Sequence, residues 1–269
     1  MESVTTVAAP AKLAVRGLTK FYDDLEVLSN IDVDIAEGEF VSIVGPSGCG
    51  KTTFLRIVDG LEPFDNGTVS IDGRVVTKPG PDRAFVFQAD SLQPWRTVWS
   101  NAAIGLEIQG RLSSTERTHL GDLLELVGLK GFEKYYPRQL SGGMRQRVNL
   151  ARALAVHPEV LLMDEPFAAL DAQTREIMQT ELLRIWSAAR STVLFITHQI
   201  EEAVYLSDRV LVFGRRPGRI QEDIRIGLQR PRDPSIKRTP QFSEYVGHIW
   251  GLIESAVRES VMEETALHT

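Results

Sequence analysis

At 269 residues, with 43% hydrophobic and 25% charged side chains, the chain is long enough for one large domain or two modest ones and apolar enough to pack a core of its own. A formal net charge of -6 at pH 7 gives no global basic field to draw a polyanion, so no nucleic-acid partner is expected. Cys49 is the only cysteine, which excludes an intrachain disulfide framework and suits a reducing compartment. No apolar run approaches the ~20 residues of a membrane helix, and Met1 to Lys12 lacks the charged start and apolar stretch of a signal peptide, so a cytosolic location is expected.

In chain order, residues 1–11 read as a disordered leader. Leu13 to Leu18, Leu25 to Leu28 and Ile31 to Ile35 then read as short strands of an antiparallel layer. The apolar run Phe40 to Val44 predicts a further strand, and directly after it Gly45-Pro46-Ser47-Gly48-Cys49-Gly50-Lys51-Thr52 fits G-x-x-x-x-G-K-[ST]. Glycines at that spacing let consecutive backbone N–H groups turn inward around phosphates, and the helix starting near Lys51 adds its positive end. Lys51 would reach the β and γ phosphates and Thr52 would offer its hydroxyl to Mg²⁺, with Thr53 completing the candidate nucleotide-binding residues. The amides and Lys51 around Cys49 make a positive field that favours thiolate; the competing reading has this small side chain pointing inward.

The helix runs to Asp59 and Gly60 stops it. Thr68 to Ile71 predicts a strand, with Asp72-Gly73 as a hairpin signal. Ala84 to Phe87 is apolar on both sides, as a buried parallel strand would be, and ends at Gln88. From 89 to 158 the spacing is helical, as at Leu120, Leu123, Leu124, Val127 and Leu129, which predicts a helical insertion. Within it, Leu140-Ser141-Gly142-Gly143-Met144-Arg145-Gln146-Arg147 is a second anion-binding design, in which Ser141 caps a helix running to about Val156 but no acid is present for a metal. Strands return at Val160 to Met163 and Thr192 to Ile196, separated by a helix from Thr174 to Arg190, and this alternation argues a parallel sheet. At the end of the first of these strands stand Asp164, suited to a magnesium shell, and Glu165, placed to polarise an attacking water. Arg215-Arg216-Pro217-Gly218-Arg219 reads as a solvated turn. After Pro240 the helical pattern of Phe242, Tyr245, Val246, Ile249, Trp250 and Ile253 fits a tail packed back on the body, with a partner or regulatory surface as the alternative.

With these motifs in place, residues 12 to 230 strongly resemble the ATPase subunit of an ATP-binding cassette transporter, and Leu140 to Arg147 resembles that family's signature motif. The resemblance implies an α/β fold: a RecA-like P-loop NTPase core with a mostly parallel sheet, an N-terminal antiparallel β layer and a helical insertion. It places the ATPase domain at 12–235, with 12–88 and 159–235 as catalytic core, 89–158 as helical subdomain and 236–269 as a helical tail. Tyr22 is similar to the aromatic that stacks on adenine, Gln88 to the Q-loop glutamine that links metal to insertion, Asp171 in Ala169-Leu170-Asp171 to the D-loop, and His198 to the switch histidine at the γ-phosphate. ATP and Mg²⁺ are the implied cofactors, and the implied catalytic set is Glu165, His198, Lys51 and Gln88, with Thr52, Gln88 and Asp164 at the metal.

The same resemblance implies a head-to-tail pair of ATPase subunits, expected to be a homodimer, in which each ATP lies between one phosphate loop and the other subunit's Ser141, Gly142 and Gly143. Lys78 to Arg83, Leu92 to Trp95, Arg216 to Ile220 and Arg230 to Asp233 look like importers of nitrate, sulfonates, taurine and related small anions. That implies separate membrane permease subunits, an extracytoplasmic solute-binding protein, and a peripheral place on the cytoplasmic face of the membrane. Trp95 and Trp99 suit the wall of a groove for a permease helix, with a core role for both rings as the competing reading. A soluble cassette ATPase of repair or translation would show two cassettes or a long coiled-coil insert, a small-molecule P-loop kinase would lack the signature, and a module that binds nucleotide without turnover would have lost Glu165 or His198.

Overall fold

The structure, a computed structural model, describes residues 11–89 and 91–267; the leader expected at 1–11 lies outside these residues except for Ala11. Two sheets carry the fold. The first has the order β2-β1-β4-β5 and is antiparallel, from β1 (Leu13–Tyr22), β2 (Leu25–Ile35), β4 (Asn66–Ile71) and β5 (Arg74–Val75). The two strands expected at 25–28 and 31–35 are one long strand, kinked where Asn30 adopts a φ of 48°, a left-handed conformation that Asn tolerates better than most residues.

The second sheet has the order β10-β9-β3-β8-β7-β6, formed by β3 (Phe40–Val44), β6 (Arg83–Val86), β7 (Val160–Asp164), β8 (Thr192–Ile196), β9 (Arg209–Phe213) and β10 (Ile220–Arg225). It is parallel except for β10, which returns antiparallel to β9. β3, β7 and β8 are buried along their whole length, and their period-two alternation feeds two cores. Val41, Ile43, Leu162 and Leu194 face the core shared with the antiparallel sheet and α1 (Lys51–Asp59). Phe40, Leu161, Met163, Val193 and Phe195 face the opposite core. β6 is the edge strand, so Ala84 and Phe85 are half-buried where full burial was expected; Phe85 instead stacks its ring 4.4 Å from that of Phe87, just past the strand end.

Helices α2 (Val98–Ile108), α3 (Ser114–Leu126) and α4 (Gly142–Ala155) lie between β6 and β7, and α5 (Ala172–Ala189) and α6 (Ile200–Leu206) follow β7 and β8. Each of α2 to α5 opens on a side-chain cap, from Thr97, Ser113, Ser141 and Asp171. The tail forms α7 (Pro240–Leu267), which packs back on the body through Phe242 and Ile249, whereas Trp250 is 60% exposed. The basic stretch at 215–219 is more than a solvated turn. Gly218 is buried there, pairing with β2 by donating to the Val27 carbonyl at 2.8 Å and accepting from Ser29 at 3.0 Å.

Candidate functional site

The turn from β3 into α1 is built so that only glycine fits at its bends. Gly45 has a φ of 153°, and a Cβ there would meet the Phe213 carbonyl oxygen at 2.5 Å; Gly50 has a φ of 99°, and a Cβ would meet Leu28 at 2.7 Å. Gly50 is also the N-cap of α1 and supplies no side-chain cap, so the amides of the first turn remain directed at whatever anion lies in the loop. Lys51 folds across the mouth of this loop, donating to the carbonyls of Gly45 and Pro46 at 2.8 Å each.

Cys49 corrects the expectation of an activated thiolate. It is 1% exposed, its sulfur lies 3.7 Å from Lys51 Nζ, and burial pushes the thiol up despite the Lys51 charge. The inward-pointing alternative is the one observed, with the sulfur in the core shared by the antiparallel sheet and α1.

Parallel register brings the remaining groups to the same edge of the sheet. β7 ends with Asp164 opposite Ile196 of β8, and Thr52 of α1 donates its hydroxyl to Asp164 Oδ1 at 3.1 Å. Asp164 is 5% exposed, and burial raises its carboxyl pKa while the Thr52 hydrogen bond opposes the rise. Glu165 sits in the left-handed region with a φ of 45°, pinned by its N–H to the Ile196 carbonyl at 3.0 Å. Such a conformation costs about 1–3 kcal/mol in a non-glycine residue. Its effect is to aim the carboxylate across the strand ends, where Oε2 accepts from Gln88 Nε2 at 3.0 Å and lies 3.2 Å from His198 Nδ1.

Ser47, Gly48, Gly50, Lys51, Thr52, Thr53, Gln88, Glu165 and His198 thus line one cleft of about 430 Å³. Val27 of β2 lines it too, and nothing in the sequence distinguishes this valine from its strand neighbours. The donors beside Thr52 and Asp164 are oxygens with a single buried carboxylate, a set that suits Mg²⁺ shared with substrate phosphates. Tyr22 stands outside that lining and is 42% exposed. Burial and the nearby Glu62 carboxylate raise its phenol pKa while Thr53 of α1 opposes the rise, and Lys20 Nζ lies 4.7 Å from its ring centroid.

The structure does not bring Ser141, Gly142, Gly143 and Asp171 to this cleft. They line a second cleft of about 560 Å³ that shares no residue with the first. Ser141 Oγ accepts from the Met144 amide at 3.2 Å as the cap of α4, and Asp171 Oδ1 accepts from the Thr174 amide at 3.0 Å as the cap of α5. Those bonds hold the Asp171 carboxyl below the usual carboxylate range. Of the two tryptophans near α2, Trp95 is 72% exposed, whereas Trp99 is half-buried against the core.

A family model described as ABC transporter matches residues 28–168. The chain is 50% identical over 255 residues to an ABC transporter ATP-binding protein from Methanocaldococcus jannaschii, covering 93% of this chain and 94% of that one. It is 48% identical over 239 residues to a nitrate import ATP-binding protein from Synechocystis sp., covering 86% and 90%. Among solved structures, a dimeric bacterial ABC transporter cassette superposes with a TM-score of 0.72 at 32% identity, covering 81% of this chain and 100% of that one; the same values hold for a post-hydrolysis state bound to ADP and Pi. The chain belongs to the ABC transporter family and is an ATP-binding, ATP-hydrolysing cassette that works with Mg²⁺.

Proposed function

We propose that this ABC-family ATPase is the motor subunit of an importer for nitrate, a sulfonate, taurine or a related small anion, acting on the cytoplasmic face of the membrane beneath separate permease subunits that an extracytoplasmic solute-binding protein supplies. Among the described residues no helix is long and apolar enough to cross a membrane. The observation that carries the division of labour is the separation of the two clefts: one is lined by Lys51, the Thr52 and Thr53 hydroxyls, Glu165 and His198, the other by glycines, Arg147 and the capped starts of two helices, where Asp171 is engaged as a cap. A γ-phosphate held by the first still presents oxygens outward, and the amides around Ser141 and Gly143 of a second copy are suited to take them. Two copies arranged head to tail complete two such sites, with Asp171 beside the signature at the junction.

In that reading Lys51 leaves the Gly45 and Pro46 carbonyls for the β and γ phosphates, an exchange of neutral acceptors for charged ones. Thr52 and Asp164 would hold Mg²⁺, and the ion would supply charge neutralisation at the phosphates. Glu165 accepts a hydrogen bond from the attacking water and orients it in line, while His198, already beside Glu165, takes the γ-phosphate. Gln88 contacts Glu165 at one end and leads into the α2 region at the other, so loss of the γ-phosphate is felt at the surface that carries Trp95. Light scattering with a non-hydrolysable ATP analogue tests the divided site. The chain should pair, and Ser141→Arg should bind the analogue yet stay single; pairing undiminished in Ser141→Arg sinks the arrangement.

A further inference from the structure

Beyond β10 the chain makes a set of contacts that nucleotide chemistry does not require. A short 3-10 turn, Pro234–Arg238, is capped by Asp233, whose side chain accepts from the Ser235 amide at 2.9 Å. From this turn Lys237 Nζ donates to Gln179 Oε1 at 3.0 Å and stands 4.5 Å from the ring centroid of Tyr205. Gln179, 4% exposed on α5, turns its amide the other way and donates to Glu202 Oε1 at 2.8 Å. Glu202, also 4% exposed, lies in the first turn of α6, where burial raises its carboxyl pKa and the neighbouring Thr197 and Gln179 side chains oppose the rise. Thr197 adjoins His198. Its N–H donates to the Ile43 carbonyl at 3.2 Å, on the strand that enters the phosphate loop, and its hydroxyl accepts from the Gln199 amide at 3.0 Å.

The far end of α6 is held from the same segment. Arg232 is buried and donates to the carbonyls of Val204, Tyr205 and Ser207 at 3.2, 2.9 and 2.7 Å, which are among the acceptors a helix C-terminus leaves unpaired. A helix of seven residues has too few internal bonds to fix its own direction. Burying a carboxylate and a guanidinium against it is also a costly way to gain stability, since apolar contacts of equal volume would serve as well. What the polar contacts add is geometry: they fix where α6 begins, and α6 begins just past His198, whose side chain is otherwise 55% exposed.

We propose that Lys237, Gln179 and Glu202 are positioning residues for His198, forming a hydrogen-bond relay by which the segment after the last strand sets the switch loop. The proposal rests on the reading of His198 as the γ-phosphate contact. Lys237→Met and Gln179→Leu each remove one link, and Lys237→Arg keeps the donor. The full chain would be assayed for kcat and KM for ATP, and its ¹⁵N-labelled histidine side chains followed by NMR, with the His198 signal assigned from His198→Ala. We expect kcat about tenfold lower or less at a KM within about twofold, a displaced or broadened His198 signal, unmoved His119 and His157 signals, and recovery of both readouts in Lys237→Arg. Wild-type kcat with an unmoved His198 signal, even in a variant whose melting temperature has dropped, overturns the relay and leaves a staple between α5 and the tail. Should Gln179→Leu not fold, Lys237→Met decides alone, because that side chain is 21% exposed at the rim. Should His198→Ala turn over at the wild-type rate, the reading of His198 fails, and the displacement of its signal still decides the relay.

Discussion

Replacing Glu165 by glutamine is the sharpest test of the site, because the structure predicts what the change leaves intact. Gln88 Nε2 at 3.0 Å and His198 Nδ1 at 3.2 Å both converge on one oxygen of the carboxylate, Oε2. A carboxamide with its oxygen in that place keeps both contacts, and the main chain at φ 45° is held by the Glu165 N–H bond to the Ile196 carbonyl and not by the side chain. The fold and ATP binding should therefore survive. What disappears is a basic, water-orienting oxygen, and a positioned base contributes about 10²–10⁴-fold, which is about 3–5 kcal/mol of barrier at ~1.36 kcal/mol per tenfold. Phosphate release at saturating ATP and Mg²⁺ should fall by that factor with nucleotide affinity within about threefold of wild type, less than the ~1 kcal/mol of one lost hydrogen bond, because no contact is removed. Trapped ATP should hold copies paired in light scattering. Turnover within tenfold of wild type would falsify the role given to Glu165, and a collapse of ATP affinity would mean that the carboxylate serves the binding cleft instead.

Four further outcomes follow from the geometry. Maleimide should label Cys49 slowly and at the same rate with or without ATP, since the sulfur is 1% exposed and its pKa is raised by burial; rapid labelling blocked by ATP would restore the reactive thiolate. Gly218→Ala should lower the melting temperature and weaken ATP binding, because a Cβ there meets the Cys49 carbonyl oxygen at 2.1 Å and relief of such overpacking costs about 1–3 kcal/mol; a neutral substitution would show that the loop is not braced from behind. Tyr22→Ala should weaken nucleotide affinity by about 1–3 kcal/mol, the range of base stacking on aromatics, with saturated turnover preserved, and the opposite pattern counts against adenine stacking. Trp95→Ala should leave the isolated subunit folded and ATP-competent but impair assembly with its permease, whereas Trp99→Ala should destabilise the subunit itself, because the first ring is 72% exposed and the second packs on the core; equal loss of fold in both would move the coupling surface elsewhere.

The parts legible in the sequence are those in which local chemistry and topology coincide. A phosphate loop needs its glycines at fixed offsets, so Gly45 and Gly50 announce themselves, and the acids that end a buried strand are readable because few other settings place Asp164 and Glu165 after four apolar residues. The fate of Cys49 was not legible: a loop's electrostatic field can be inferred from its residues, but the direction of one small side chain depends on packing by Val27, Leu28 and the 215–219 turn, all distant in sequence. Phe85 was assigned to a buried strand because hydrophobicity reports what a strand can bury and not whether a neighbour arrives on its far side. Glu201 and Glu202 make the point most directly. Adjacent acids on a short helix look alike in sequence, yet the first is exposed and the second is buried against Gln179. Helix face separates them: Glu202 is turned toward Gln179 of α5 and Glu201 toward solvent. The turn at Pro234–Arg238 straddles the boundary read between domain and helical tail, and its Lys237 gains meaning only when the fold sets it beside α5. The catalytic edge of the sheet is thus written in contiguous motifs, while the supports behind it are spread over residues that the chain brings together last.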